Sequence, residues 1–136
     1  MNNRGFTLVE LLTVVAIIGI LSAMTLVTFP AARTRAKDGV VMSSMGQLRV
    51  EAEIIYGENS ASYVKVETDP TTEWIALVAD IDSQVPVPAT VESIATAYCV
   101  SVALNSGDIW CVDSTGSAGV TATDACDTAG ADCATD

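Results

Sequence analysis

Residues 4–10 read Arg4-Gly5-Phe6-Thr7-Leu8-Val9-Glu10, and the next nineteen, Leu11 to Phe29, hold no charged residue. One carboxylate, Glu10, therefore sits at the start of an apolar run. As a helix, Leu11 to Phe29 would measure about 28 Å at 1.5 Å per residue, close to the thickness of bilayer hydrocarbon. An acid facing lipid costs on the order of 2.5–3.5 kcal/mol near a helix centre and less toward the interface. Glu10 thus asks for a partner. A cut after Gly5 would make Phe6 the first residue, with a free amine four residues before Glu10. Within one helix that amine points along the axis. Between two subunits offset along the axis, the amine of one meets Glu10 of the other. Two liabilities then become one buried ion pair that sets an assembly register, a hypothesis that rests on the cost of breaking such a pair.

Three readings of the run compete. A secretory signal needs a basic start, a short apolar core and a small-residue cleavage site. Here the start is Asn2, Asn3 and Arg4 and the core is long, although Ala23, Ala31 and Ala32 are small enough. A plain anchor leaves Glu10 unexplained. An assembly helix explains it.

The rest of the 136 residues suits one domain. After Arg49 the sequence has fifteen acids against one base, Lys65, so the net charge of −11 belongs to the C-terminal two-thirds. Such a surface repels phosphate and argues against direct nucleic-acid binding. The chain has no histidine, and no serine–base pair or phosphate-cradling glycine loop is evident, which argues against an enzyme. Cys99, Cys111, Cys126 and Cys133 all lie in the last forty residues. An even count in a small polar domain behind an apolar N-terminus favours disulfides outside the cytosol. A four-cysteine zinc site is the competing reading, but it usually has C-x-x-C knuckles, and this chain has none.

Val41, Met45, Leu48, Ala52 and Ile55 step by four, three, four and three, one apolar stripe on a helix that ends near Gly57. From Phe6 to Tyr56 that helix would be about 75 Å long. Asp69-Pro70 reads as the cap and first residue of a second helix over 70–82, with Trp74, Leu77, Val78 and Ile81 on its core face. Tyr98 to Leu104 and Ile109 to Asp113 flank Asn105-Ser106-Gly107-Asp108 and read as a hairpin. A loop centred on Asn105 places Cys99 opposite Cys111. The favoured bridges are then Cys99–Cys111 and Cys126–Cys133, although a register can slip.

Arg4 through Glu10, followed by the apolar helix, resembles the processing site of type IV prepilins and type II secretion pseudopilins. The resemblance covers about the first fifty-five residues. It implies cleavage between Gly5 and Phe6 by a prepilin peptidase, N-methylation of Phe6, and an assembly role for Phe6 and Glu10. It also implies an α+β fold in which the long helix packs on a small antiparallel sheet with a short second helix. The expected divisions are a leader at 1–5, a transmembrane and filament-core segment at 6–30, an amphipathic continuation at 31–57 and a disulfide-containing head at 58–136. The implied product is a structural filament subunit. Its partners would be copies of itself and related pilins, the peptidase, an inner-membrane assembly platform with its ATPase, and lipid before assembly. The precursor would cross the inner membrane once, with its head outside the cytoplasm.

The alternatives are a secretion pseudopilin and a non-polymerising anchored binding domain. No cofactor is required. Asp124, Asp127 and Asp132, with Asp113 to Gly116, are candidates for the calcium site that some pseudopilins imply, against the simpler reading of a solvated loop. Two departures stand out. Pilins often carry a proline where this chain has Val27, and its first proline is Pro30. Arg33, Arg35 and Lys37 follow the apolar run while Arg4 alone precedes it, which by the positive-inside rule would put the head in the cytoplasm. The cysteines and the processing motif independently place it outside.

Overall fold

The computed structural model describes residues 5–121 together with Cys126 and Cys133. The chain forms two compact units, Met1–Arg33 and Thr34–Asp136. Helix α1 runs Leu8–Glu58 and carries Pro30 within it. It stays helical through Gly19, although glycine is a poor helix former. In the first unit every described side chain from Leu8 onward is exposed. This helix is long and apolar enough to cross a membrane.

The second unit is the head. Val41, Met45, Leu48, Ala52 and Ile55 are at most 3% exposed, so the helical stripe is the core face of α1. Across from it lie α2 (Val64–Thr68), α3 (Thr72–Gln84) and a four-stranded antiparallel sheet. The strands are β1 (Thr90–Ser93), β2 (Tyr98–Ala103), β3 (Ile109–Asp113) and β4 (Ala118–Thr121), ordered β1-β2-β3-β4. Tyr98, Val100, Val102 and Val112 join the α1 stripe, Trp74 and Ile81 in one cluster. Alternation along a strand sends the intervening residues to the other face. There Cys99 and Cys111 are buried against Cys133. This accounts for a β2 that is buried on both faces, unlike a half-solvated antiparallel strand. Tyr63 stands between Tyr56 and Tyr98, with ring centroids 4.4 and 5.0 Å away, and joins the end of the α1 head segment to β2.

One local expectation is corrected, and three short elements are added. The second helix begins two residues later than 70, because Thr71 rather than Asp69 is its cap and accepts a hydrogen bond from Trp74 N. Asp69 instead terminates α2, a short helix with too few residues to show periodicity. Strands β1 and β4, four residues each, were not foreseen. Their mixed polarity is typical of sheet edges.

Leu48 is fully buried in the α1 core face. Leu48→Ala should therefore cost about 2–5 kcal/mol. Urea unfolding of the head would show a lower midpoint with an unchanged slope.

Candidate assembly site and disulfide clamp

Gly5, Phe6 and Thr7 precede the helix, and all three are exposed. Thr7 caps it. The Thr7 carbonyl accepts the first helical bond from Leu11 N at 3.3 Å, and the Thr7 hydroxyl accepts from Glu10 N at 3.3 Å. In return Glu10 Oε2 accepts from Thr7 N at 2.9 Å and from the Thr7 hydroxyl at 2.7 Å. This is a reciprocal capping box, which satisfies donors that a helix start leaves orphaned. The reading of Glu10 from sequence passed over it. The signal was present, since Thr, two residues and Glu precede an apolar run. Among the described residues Glu10 Oε1 accepts no hydrogen bond. Phe6 lies outside the helix and is 76% exposed.

The cysteines pair differently from expectation. Cys99 bonds Cys126 and Cys111 bonds Cys133, with Cα separations of 5.6 and 5.9 Å. The hairpin explains why. Cys99 lies opposite Asp113, and Ser101 lies opposite Cys111, so the turn is centred on Ser106 and the two cysteines are diagonal neighbours. A two-residue shift keeps both on one face but takes them out of direct opposition. Diagonal positions are about 7–8 Å apart, near or beyond the reach of a disulfide. Each strand cysteine instead holds one residue of the tail, and Cys126 and Cys133 face each other in an antiparallel bridge. Cys99, Cys111 and Cys126 present sulfurs within 4.8 Å of one another, but all are in disulfides and offer no thiolate to a metal.

Asp113 completes the clamp. Its Oδ1 accepts from Thr115 N (2.9 Å), Thr115 Oγ1 (2.7 Å) and Ser117 N (3.0 Å), and its Oδ2 accepts from Cys133 N (2.8 Å). The carboxylate therefore organises the β3–β4 turn, where Gly116 has φ +98°, and holds the tail. Asp124, Asp127 and Asp132 lie outside the described residues.

Sequence reasoning also missed Asp38. On α1, it is buried and accepts from Asn105 N (2.8 Å), Asn105 Nδ2 (3.0 Å) and Ser106 N (3.0 Å). Asn105 Nδ2 also donates to Gln84 O at 2.9 Å, so one turn ties α1, the end of α3 and the β2–β3 hairpin together. Nothing in the local sequence marks an aspartate whose donors are 67 residues away.

Burial raises the carboxyl pKa of both Asp38 and Asp113, but the hydrogen bonds outweigh it. Asn105 and Ser106 hold Asp38 below the ordinary carboxylate range, and Cys133, Thr115 and Ser117 do the same for Asp113. A depressed folded-state pKa contributes stability that is complete above the unfolded value near 3.8 and is lost as pH falls through the folded value. Head stability should therefore fall on acidification below that value, and Asp113→Asn should flatten the acid limb. Asp38→Ala strands the Asn105 and Ser106 donors at a cost of about 1–3 kcal/mol. Chemical denaturation across pH reads out both effects.

An exposed apolar helix with a capped carboxylate at its start, leading into a small disulfide-clamped antiparallel head, defines a membrane-anchored filament subunit. The family described as the prokaryotic N-terminal methylation motif matches residues 1–26. The type IV wide pilus major component PilA4 of Thermus thermophilus is 34% identical over 112 residues, covering 80% of this chain and 79% of that protein. The type IV major fimbrial protein FimA of Dichelobacter nodosus is 46% identical over 51 residues, covering 38% of this chain and 33% of that protein. No solved structure is significantly similar. The chain belongs to the type IV pilin family. It is a structural subunit rather than an enzyme, processed at its N-terminal motif and polymerised through its long helix. Its precursor is anchored in the membrane with the head outside the cytoplasm, and it works with the pilus assembly machinery of its family.

Proposed function

We propose that the chain is a filament-forming pilin of a type IV pilus, cut between Gly5 and Phe6 and N-methylated on Phe6. The observation that carries this reading is the reach of the PilA4 similarity, which extends over most of both chains and so includes the head. A pseudopilin of a secretion system shares the N-terminus and is the alternative. Leader, membrane segment, helical continuation and head would follow the divisions 1–5, 6–30, 31–57 and 58–136. The peptidase, the platform with its ATPase, other pilins and copies of this chain would be its partners.

The Gly5–Phe6 bond is exposed and precedes the helix, which suits a peptidase that needs accessible backbone. The capping box survives the cut, because the Thr7 amide and hydroxyl remain. Cap and intersubunit pair are then compatible. Glu10 Oε2 holds its own helix start, and Oε1 receives the Phe6 amine of a neighbouring subunit. Mass spectrometry of the N-terminus tests the reading, with methylated Phe6 as the expected terminus. An unprocessed Met1, or a terminus at Met24 or Arg33, would refute it. Imaging separates the alternatives, since long surface fibres of this subunit are expected of a pilin and short periplasmic ones of a pseudopilin.

A further inference from the structure

We propose that the basic neck of one subunit, the Phe29–Arg33 face of α1, docks in an acid-rimmed groove between α1 and α3 on the head of a second copy. This inference rests on the filament reading and names a head contact within it.

The groove has a volume of about 480 Å³ and is lined by Gln47, Val50, Glu51, Glu73, Ala76 and Leu77. Its floor is apolar and its two charged residues are both acids. Val50 is 64% exposed on the flank of α1, and Ile54 continues that flank one turn on. The opposite face of the same helix segment is the head core, so among the described residues this flank is uncovered.

Charge identifies the occupant. Arg33, Arg35 and Lys37 follow the membrane run within eight residues, while only Lys65 is basic after Arg49. Among the described residues the one ion pair is Lys65 with Asp69, at 3.5 Å, and Arg33, Arg35 and Lys37 take part in none there. These cations also lie on the translocated side of the membrane helix, where the positive-inside rule disfavours them. A destination on an acidic neighbour accounts for their presence there. Phe29 and Arg33 lie four residues apart and so share one helix face, and both are exposed. Phe29, 69% exposed, supplies the apolar group for the groove floor. Arg33, which is exposed, then reaches Glu73 and Glu51 at the rim. Glu51 also accepts a hydrogen bond from Thr71 Oγ1, which fixes its carboxylate at the groove edge. For parallel helices, Arg33 beside Val50 sets an axial offset of seventeen residues, ~26 Å. Anionic lipid headgroups are the competing partner for the cations, but they offer no reason for the acids to rim an apolar groove.

The test is charge exchange in the full-length chain, expressed with its assembly machinery and read as sheared filament relative to the membrane pool. Arg33→Glu and Glu73→Lys alone should each lower filament yield by about tenfold, and the double exchange should restore most of it. Both residues are exposed, and normal disulfides in each variant exclude misfolding. A photocrosslinking p-benzoylphenylalanine at position 29 should join a second copy at residues 47–51 or 73–77. Three results would overturn the contact: full filament yield from either single variant, a double variant no better than the singles, or crosslinks from position 29 to lipid alone. Absence of filaments from the unmodified chain would instead refute the filament reading itself.

Discussion

Glu10→Ala is expected to be exported and cleaved normally and to yield almost no filament. Removing one partner of a buried ion pair costs about 3–5 kcal/mol, roughly a hundredfold or more in the equilibrium of a single contact. In a polymer that loss recurs at every subunit. Loss of the Glu10 half of the capping box adds a second, smaller effect of about 0.5–1.5 kcal/mol, and the two can be separated. Glu10→Gln keeps an oxygen that accepts from Thr7 N, and Gln serves in a capping box as Glu does. It removes only the charge. The expected order of filament yield is wild type, then a large drop for Gln, with Ala at or below Gln. Normal assembly of the Gln variant would show that Glu10 acts as a cap and nothing more. Normal assembly of the Ala variant would remove both roles. N-terminal mass analysis of each variant controls for processing.

The second large effect concerns the tail. Replacing Cys99 and Cys126 with serine opens a closed loop spanning 27 residues. By chain entropy that loss is about 3–4 kcal/mol. Small domains hold only about 5–15 kcal/mol in all. The thermal midpoint of the head should fall by more than about 10 °C. The same replacement at Cys111 and Cys133, whose sequence separation is 22, should cost nearly as much. It should also loosen the β3–β4 turn, since Cys133 N donates to Asp113. Peptide mapping without reduction should recover Cys99 joined to Cys126 and Cys111 joined to Cys133. A Cys99–Cys111 peptide would mean that the hairpin turn is centred on Asn105 after all.

How much was legible varied with the range of the interaction. The α1 stripe, the core face of α3 and the β2–β3 hairpin repeat within a few residues, and periodicity exposes them. The turn at Asn105 to Asp108 was equally plain, because Gly107 takes φ +100°, which glycine adopts without strain. Edge strands β1 and β4 were hidden, since four residues of mixed polarity carry little pattern. The capping box is legible as Thr7 three residues before Glu10, where one carboxylate serves both as a cap and as a charge in an apolar run. Asp38 was illegible for a different reason, as its meaning comes wholly from the hairpin it meets.

The amino-acid sequence by itself determined the membrane-length helix, the processing motif around Gly5 and Phe6, the place of Glu10, and the oxidised character of the head. Each of these depends on residue type and short spacing alone. Only the tertiary structure decided which cysteines join and what Asp38 and Asp113 hold. Cys99 and Cys111 share a face yet stand diagonally, a matter of register across two strands rather than of order along one. A carboxylate that binds a distant turn is defined by donors brought to it in space, and the chain must fold before those donors exist as a set.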